Sequence, residues 1–229
     1  MAKSTIVVSC MDRRLNKLLD SMNDGRQIFV RNAGGNVAGL EQTIRFLIEN
    51  NNIGEIQLIE HTDCGAMGYV YSALKEGKDG LHRQLVEEFK DAKFSTRLEL
   101  EQKNEKLQKD IAERLFAGNA LAISSKLVEL NEKADNGQEH TLVITKAVSD
   151  KYSEMAETLG LAFDNCYFLQ ANSIYEVLPD IGIATDLLGI KRIVLLATNA
   201  SQYRQTQLDL QALKTRGIEG KARLEVARL

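Results

Sequence analysis

Two short stretches carry residues whose types and spacing could do chemistry. One is Cys10-Met11-Asp12-Arg13-Arg14, which follows the apolar run Thr5-Ile6-Val7-Val8-Ser9. The other is His61-Thr62-Asp63-Cys64-Gly65-Ala66, which follows Ile56-Gln57-Leu58-Ile59-Glu60. Two thiolates and an imidazole suit zinc better than magnesium or calcium. Three protein ligands leave one position open, which is the composition of a catalytic rather than a structural zinc site. Each residue alone reads as a buried cysteine or a capping histidine; all three at consecutive strand ends do not. The His-x-x-Cys spacing lets one loop offer two ligands, and Cys10 ties that loop to a second strand. Asp12 and Arg14 flank Cys10, and an arginine beside a carboxylate keeps it ionised and oriented. Such a carboxylate can take a proton from a zinc-activated water, swing onto the metal and close it, or simply staple the loop.

Composition removes several function classes. The chain has 229 residues, 44% of them hydrophobic and 27% charged, as in ordinary globular proteins. A net charge of −3 gives no electrostatic case for nucleic acid or membrane partners. No apolar run approaches bilayer length. The start Met-Ala-Lys-Ser enters a strand at once, so no signal peptide is expected. Three cysteines, an odd number, argue for reduced thiols in a cytoplasmic protein, where Cys and His bind metal or do chemistry.

The elements that must position these residues read as α/β. Strands are predicted over 4–9, 27–31 and from about 55, with helices over 13–23 and 38–51 between them. That order makes a pair of right-handed βαβ units on a parallel sheet. Ligands of such sheets gather at the carboxyl ends of strands, so Cys10 meets His61 and Cys64 if strand one lies between two and three. A helix is expected over 66–76, and residues 82–135 read as almost wholly helical. They are amphipathic, with Glu101–Glu105 a repulsive and Glu105–Lys109 a favourable pair, closed by Asp135-Asn136-Gly137. Strands return at 141–145, 166–172 and 193–198, with helices over about 150–159 and 174–188. This repeats the first eighty residues: Thr5–Cys10 lies against Thr141–Lys146, Ile28–Ala33 against Tyr167–Asn172, and Ile56–His61 against Ile193–Thr198. The copy carries Lys146, Thr198 and Ser201 where the first has Cys10, His61 and Cys64, so it should hold no zinc of this type. The domain reading is a zinc-binding α/β unit over 1–80, a helical segment over 81–139 and a second α/β unit, without metal, over 140–229.

Cys10-x-Asp12-x-Arg14, Arg31-Asn32-Ala33-Gly34-Gly35 and His61-Thr62-x-Cys64-Gly65, in this order and at this spacing, resemble the β-class carbonic anhydrases. The resemblance covers roughly residues 4–70. It implies Zn2+ on Cys10, His61 and Cys64, an Asp12–Arg14 dyad, and reversible hydration of CO2 to bicarbonate and a proton. Phe29 and Ala33 are candidates for the apolar wall that receives CO2, and the Gly65 N–H for steadying bicarbonate. Two thiolates donate more charge than imidazoles, so activity should favour alkaline pH. The same scaffold supports hydrolysis of CS2 or COS, and a non-catalytic zinc protein acting in assembly or regulation is the reading from another class. Family members carry helices before the cysteine motif, whereas nine residues precede it here. Family sites sit at dimer interfaces, so a fused pseudo-dimer would supply that wall in cis from residues 140–229, and a homodimer or higher oligomer is expected. Tyr167 and Gln170 are candidates for the tyrosine and glutamine given across the interface. Neither His82 nor His140 stands where a proton shuttle is recognisable.

Overall fold

The computed structural model describes residues 2–77, 80–130, 137–146 and 151–228. Strand β1 (Ser4–Cys10) is apolar without interruption because both its faces are covered. Ile6 and Val8 point to one core with Val30, Ile44, Ile56 and Leu58, while Val7 points to the other with Phe29, Ile59 and Met67. Helix α1 (Asn16–Met22) leads to β2 (Gln27–Asn32), and α2 (Glu41–Asn50) to β3 (Ile53–His61). The four-stranded sheet is parallel with order β2-β1-β3-β4, so β1 does lie between β2 and β3.

Beyond β3 come α3 (Gly65–Glu76), α4 (Arg83–Glu88) and the long α5 (Arg97–Leu115). The expectation of continuous helix over 82–135 fails at β4 (Ala122–Val128), which pairs in parallel with β3. Its Ala-Ile-Ser-Ser-Lys-Leu-Val is half-exposed along its length, as an edge strand is, and so lacks the apolar signature of the buried strands. Of the Asp135-Asn136-Gly137 turn, the first two residues lie outside those described. Lys109 pairs with Glu113 at 3.8 Å rather than with Glu105.

The second half comprises β5 (Thr141–Thr145), α6 (Tyr152–Thr158), β6 (Cys166–Gln170), α7 (Leu178–Gly182) running into a π turn over Ile183–Leu187, β7 (Arg192–Ala197), α8 (Ala200–Thr215) and β8 (Arg223–Arg228). Its sheet is also parallel, with order β6-β5-β7-β8. The registers coincide with those of the first sheet. Thr5 sits opposite Gln27 as Thr141 sits opposite Cys166. Ile6 faces Ile56 as Leu142 faces Ile193, and Ile56 faces Ile123 as Ile193 faces Leu224. The halves also grip each other reciprocally. Asp180, third residue of α7, accepts from the Ala33 N–H (2.9 Å), and Thr43, third residue of α2, accepts from the Asn172 N–H (3.1 Å). Ala33 and Asn172 are counterparts, so this is the i-to-j, j-to-i pattern of an isologous interface, here within one chain. A single apolar core runs across it, with the Phe29 and Phe168 rings both on Tyr152. Among the described residues no helix is long and apolar enough to cross a membrane.

Candidate metal centre

Cys10 closes β1, His61 closes β3 and Cys64 is the N-cap of α3, so adjacent strand ends deliver all three to one point. Their donor atoms lie within 4.8 Å of one another, and each residue is at most 3% exposed. The loop between His61 and Cys64 turns at Asp63, the non-glycine residue with positive φ (55°) among those described. Aspartate tolerates that conformation better than most residues, and the turn aims both neighbours inward. The Asp63 carboxylate is held there by Arg14 (2.9 Å) and Arg97 (3.2 Å).

The donor set fits a thiophilic divalent ion. The His61 Nδ1–H faces the Thr62 carbonyl at 2.9 Å, which leaves Nε2 as the lone-pair donor, and Nε2 is buried without a hydrogen-bond partner. The two sulfurs are 3.8 Å apart. The hydrogen bond from Cys64 drives the Cys10 thiol well below its ordinary range, and the same bond with burial drives Cys64 well above. Two buried thiolates at this distance require a cation between them. Backbone N–H groups already favour the anionic form: Gly34 donates to Cys10 Sγ (3.4 Å) and Met67 to Cys64 Sγ. Burial pushes the His61 imidazole down, but Cys10 and then Asp12 lift it to about 9.

Arg14 holds Asp12 with three bonds: backbone N–H to Oδ1 (3.0 Å), Nε to Oδ1 (3.0 Å) and Nη2 to Oδ2 (2.7 Å). Burial works to raise the Asp12 carboxyl, yet these bonds together with the charges of His61 and Arg14 outweigh it and keep it below its ordinary value. Asp12 Oδ2 stands 3.9 Å from His61 Nε2. Swinging onto a metal would cost Asp12 its Arg14 bonds, so the resting geometry keeps it beside the centre rather than in it.

A buried polar face of α5 braces the loops. Glu101 Oε1 accepts from the Cys64 N–H (2.9 Å) and from Arg97 Nε (3.0 Å), while Arg97 Nη2 donates to the Cys64 carbonyl (2.7 Å). Asn104 Nδ2 joins the Gly34 carbonyl (3.0 Å) to Glu60 Oε2 (2.8 Å). Gln108 accepts from the Val37 N–H (2.9 Å). This face was missed in the sequence, where Glu101 stood only as a repulsive partner of Glu105. The available signal was Glu101, Asn104 and Gln108 at helical spacing on one side of a helix that must cover a sheet. Glu60 was missed as well. Buried beneath the Arg-Asn-Ala-Gly-Gly loop, it leaves no room for a Cβ at Gly35, which would stand 2.2 Å from its Oε1.

Of the other residues singled out from sequence, Arg31 spans from β2 to the Cys10 and Asp12 carbonyls (2.9 and 2.8 Å) and to Asn16 (2.7 Å). Phe29 lies two residues earlier on the same face, packed on Tyr152. Ala33 presents its N–H to Asp180, and Gly65 sits under Leu188, whose Cδ2 would be 3.2 Å from an added Cβ. Tyr167 is buried where the charges of Asp12, Arg13 and Arg14 reach it, with its ring against His140. Gln170 instead accepts from the Tyr152 hydroxyl (3.0 Å), the counterpart of the Arg31–Asn16 bond. His82 is buried beside Asp180 at 3.5 Å.

A family model described as carbonic anhydrase matches residues 5–153. Among solved structures, a carbonic anhydrase from Glaciozyma antarctica is similar at 23% identity, covering 55% of this chain and 75% of that one, with a TM-score of 0.35. No curated protein matches. With the family match spanning well over half of the chain, and the Cys-His-Cys group that could bind a metal at its centre, the chain belongs to the β-class carbonic anhydrase family.

Proposed function

We propose that the chain is a zinc-dependent carbonic anhydrase catalysing the reversible hydration of CO2 to bicarbonate and a proton. The observation that carries this reading is the convergence of Cys10 Sγ, Cys64 Sγ and an unpartnered His61 Nε2, with an ionised carboxylate beside them. Zinc, when bound by these three residues, supplies the Lewis acidity that makes water a nucleophile near neutral pH. The chain's own residues do the rest. Asp12, acceptor-only when ionised and fixed by Arg14, takes the hydrogen bond of the attacking water and sets its orientation. Arg14, tied also to Asp63 Oδ2 and the Asp63 carbonyl, couples this orientation to the loop that carries His61 and Cys64. Leu188, against Gly65, gives the approach an apolar wall suited to a small apolar substrate.

The three free cysteines support a reducing, cytoplasmic setting. A homodimer or higher oligomer belongs to the same reading; light scattering at the 25.5 kDa of one chain would refute that part. The function is tested by stopped-flow CO2 hydration on protein of measured metal content, beside Asp12→Ala and Cys64→Ser. One zinc per chain with turnover, diminished in Asp12→Ala and abolished in Cys64→Ser, is expected. Zinc without turnover would reject catalysis in favour of an assembly or regulatory role.

A further inference from the structure

The metal centre has a counterpart in the second half, and it is neither filled nor collapsed. At the carboxyl end of the second sheet, between β5, β7 and α8, lies a cavity of about 30 Å³, lined among others by Thr145, Lys146, Asn172, Ser173, Gln202 and Asp209. Lys146 stands at the position of Cys10, and Ser173 at that of Gly34. A water needs roughly 10–15 Å³ of such space, so the cavity takes about two or three water-sized groups.

Its polar lining is rich in donors. Lys146 offers an ammonium. Gln202 has its carbonyl oxygen taken twice, by the Thr198 N–H (2.9 Å) and hydroxyl, which leaves its amide hydrogens to donate. Ser173 Oγ accepts from the Tyr175 N–H (3.3 Å), so its own hydrogen remains for a further partner. Thr145 is 4% exposed, and its Oγ1 is buried without a partner, a state that costs free energy unless something fills the site. Against these stands one carboxyl, Asp209, raised by burial, with an oxygen engaged by Gln205 (3.1 Å) and within reach of the Lys146 charge, which a bound anion would share. Four side chains able to donate line one small cavity, and such a lining suits a ligand that only accepts.

We propose that this cavity is a binding site for a small planar oxyanion, of the size of formate or bicarbonate, held by Lys146, Thr145, Ser173 and Gln202. The site replaces metal ligation by charge-assisted hydrogen bonding at the same place in the repeated fold. It is independent of the activity proposed for the first half.

The test is a titration of the metal-loaded full chain with formate, bicarbonate and sulfate, followed by the side-chain amide resonances of Gln202 and Asn172. Formate and bicarbonate should shift the Gln202 amide saturably, and the tetrahedral sulfate should not. Cys64→Ser, which disables the first site, should leave this binding unchanged. Lys146→Met should weaken it about tenfold or more, and Lys146→Arg should retain most of it. Thr145→Val, a near-isosteric change, gives a second variant with little risk to folding and should also weaken binding. A linear, non-saturating response, equal affinity in Lys146→Met, sulfate binding as well as formate, or loss of binding in Cys64→Ser would each overturn the assignment.

Discussion

Replacing Glu101 by alanine should loosen the metal centre from a residue that never touches the metal. Glu101 is 3% exposed, and its Oε1 is the acceptor for the Cys64 N–H (2.9 Å) and for Arg97 Nε (3.0 Å). In Glu101→Ala the Cys64 N–H is left buried without a partner, which costs about 1–3 kcal/mol. The bond to Arg97 adds less than about 1 kcal/mol, because Arg97 is 38% exposed and keeps the Cys64 carbonyl (2.7 Å) and Asp63 (3.2 Å). If about 2 kcal/mol of this loss falls on the placement of Cys64, zinc affinity drops roughly 30-fold, within the 10–100-fold typical of groups that orient metal ligands. Glu101→Gln keeps the acceptor oxygen and should lose less than about fivefold. Competition against a chromophoric zinc chelator reads the affinity, and a thermal melt reads the stability. Should Glu101→Ala melt earlier yet bind zinc within about twofold of the parent, Glu101 holds the fold and not the ligand, and the bracing assigned to α5 is wrong.

The donors' titration predicts proton release on metal binding. At pH 7 the His61 imidazole, lifted to about 9, and the raised Cys64 thiol are protonated, while the hydrogen bond from Cys64 shifts Cys10 toward its thiolate. Zinc should therefore displace about two protons per ion, and affinity should fall as pH falls; an indicator in weak buffer measures this, and fewer than one proton would contradict it. Gly35→Ala should destabilise by about 2–4 kcal/mol through its φ of +61° and the Glu60 contact, whereas Gly25→Ala, at φ +87° with nothing within 4 Å, should cost only about 1–2 kcal/mol. Comparison of their denaturant midpoints checks the difference. Asp180→Ala should cost about 1–3 kcal/mol by stripping the Ala33 N–H of its acceptor, while Asp180→Asn, which keeps an oxygen there, should cost less; equal losses would show that the charge beside His82 matters more than the bond.

What could be read from the chain depended on how each residue advertises its environment. Buried parallel strands announce themselves by unbroken apolar runs: the strand at 141–145 has the bounds read from the sequence, and that at 166–170 starts where read and ends two residues sooner. The ligand trio was legible because Cys and His at successive strand ends have few bland explanations. The edge strand β4 was hidden because it pairs on one side and leaves its polar residues half in water. The buried polar face of α5 was hidden for the opposite reason. Glu101, Asn104 and Gln108 look solvent-facing by type, and only the third dimension shows the loop N–H and carbonyl groups that they satisfy. The repeat was visible as a likeness of apolar runs. The equal registers and the reciprocal Asp180–Ala33 and Thr43–Asn172 bonds supply what a likeness of runs cannot.

Zinc K-edge X-ray absorption on the loaded full chain at mildly alkaline pH bears most directly on whether Cys10, His61 and Cys64 share one ion with a place to spare. Two sulfur scatterers at ~2.3 Å and two nitrogen or oxygen scatterers at ~2.0–2.2 Å, with one imidazole among them, are expected. A shell of four sulfurs, a shell without sulfur, or the same two-sulfur shell in Cys64→Ser would contradict it.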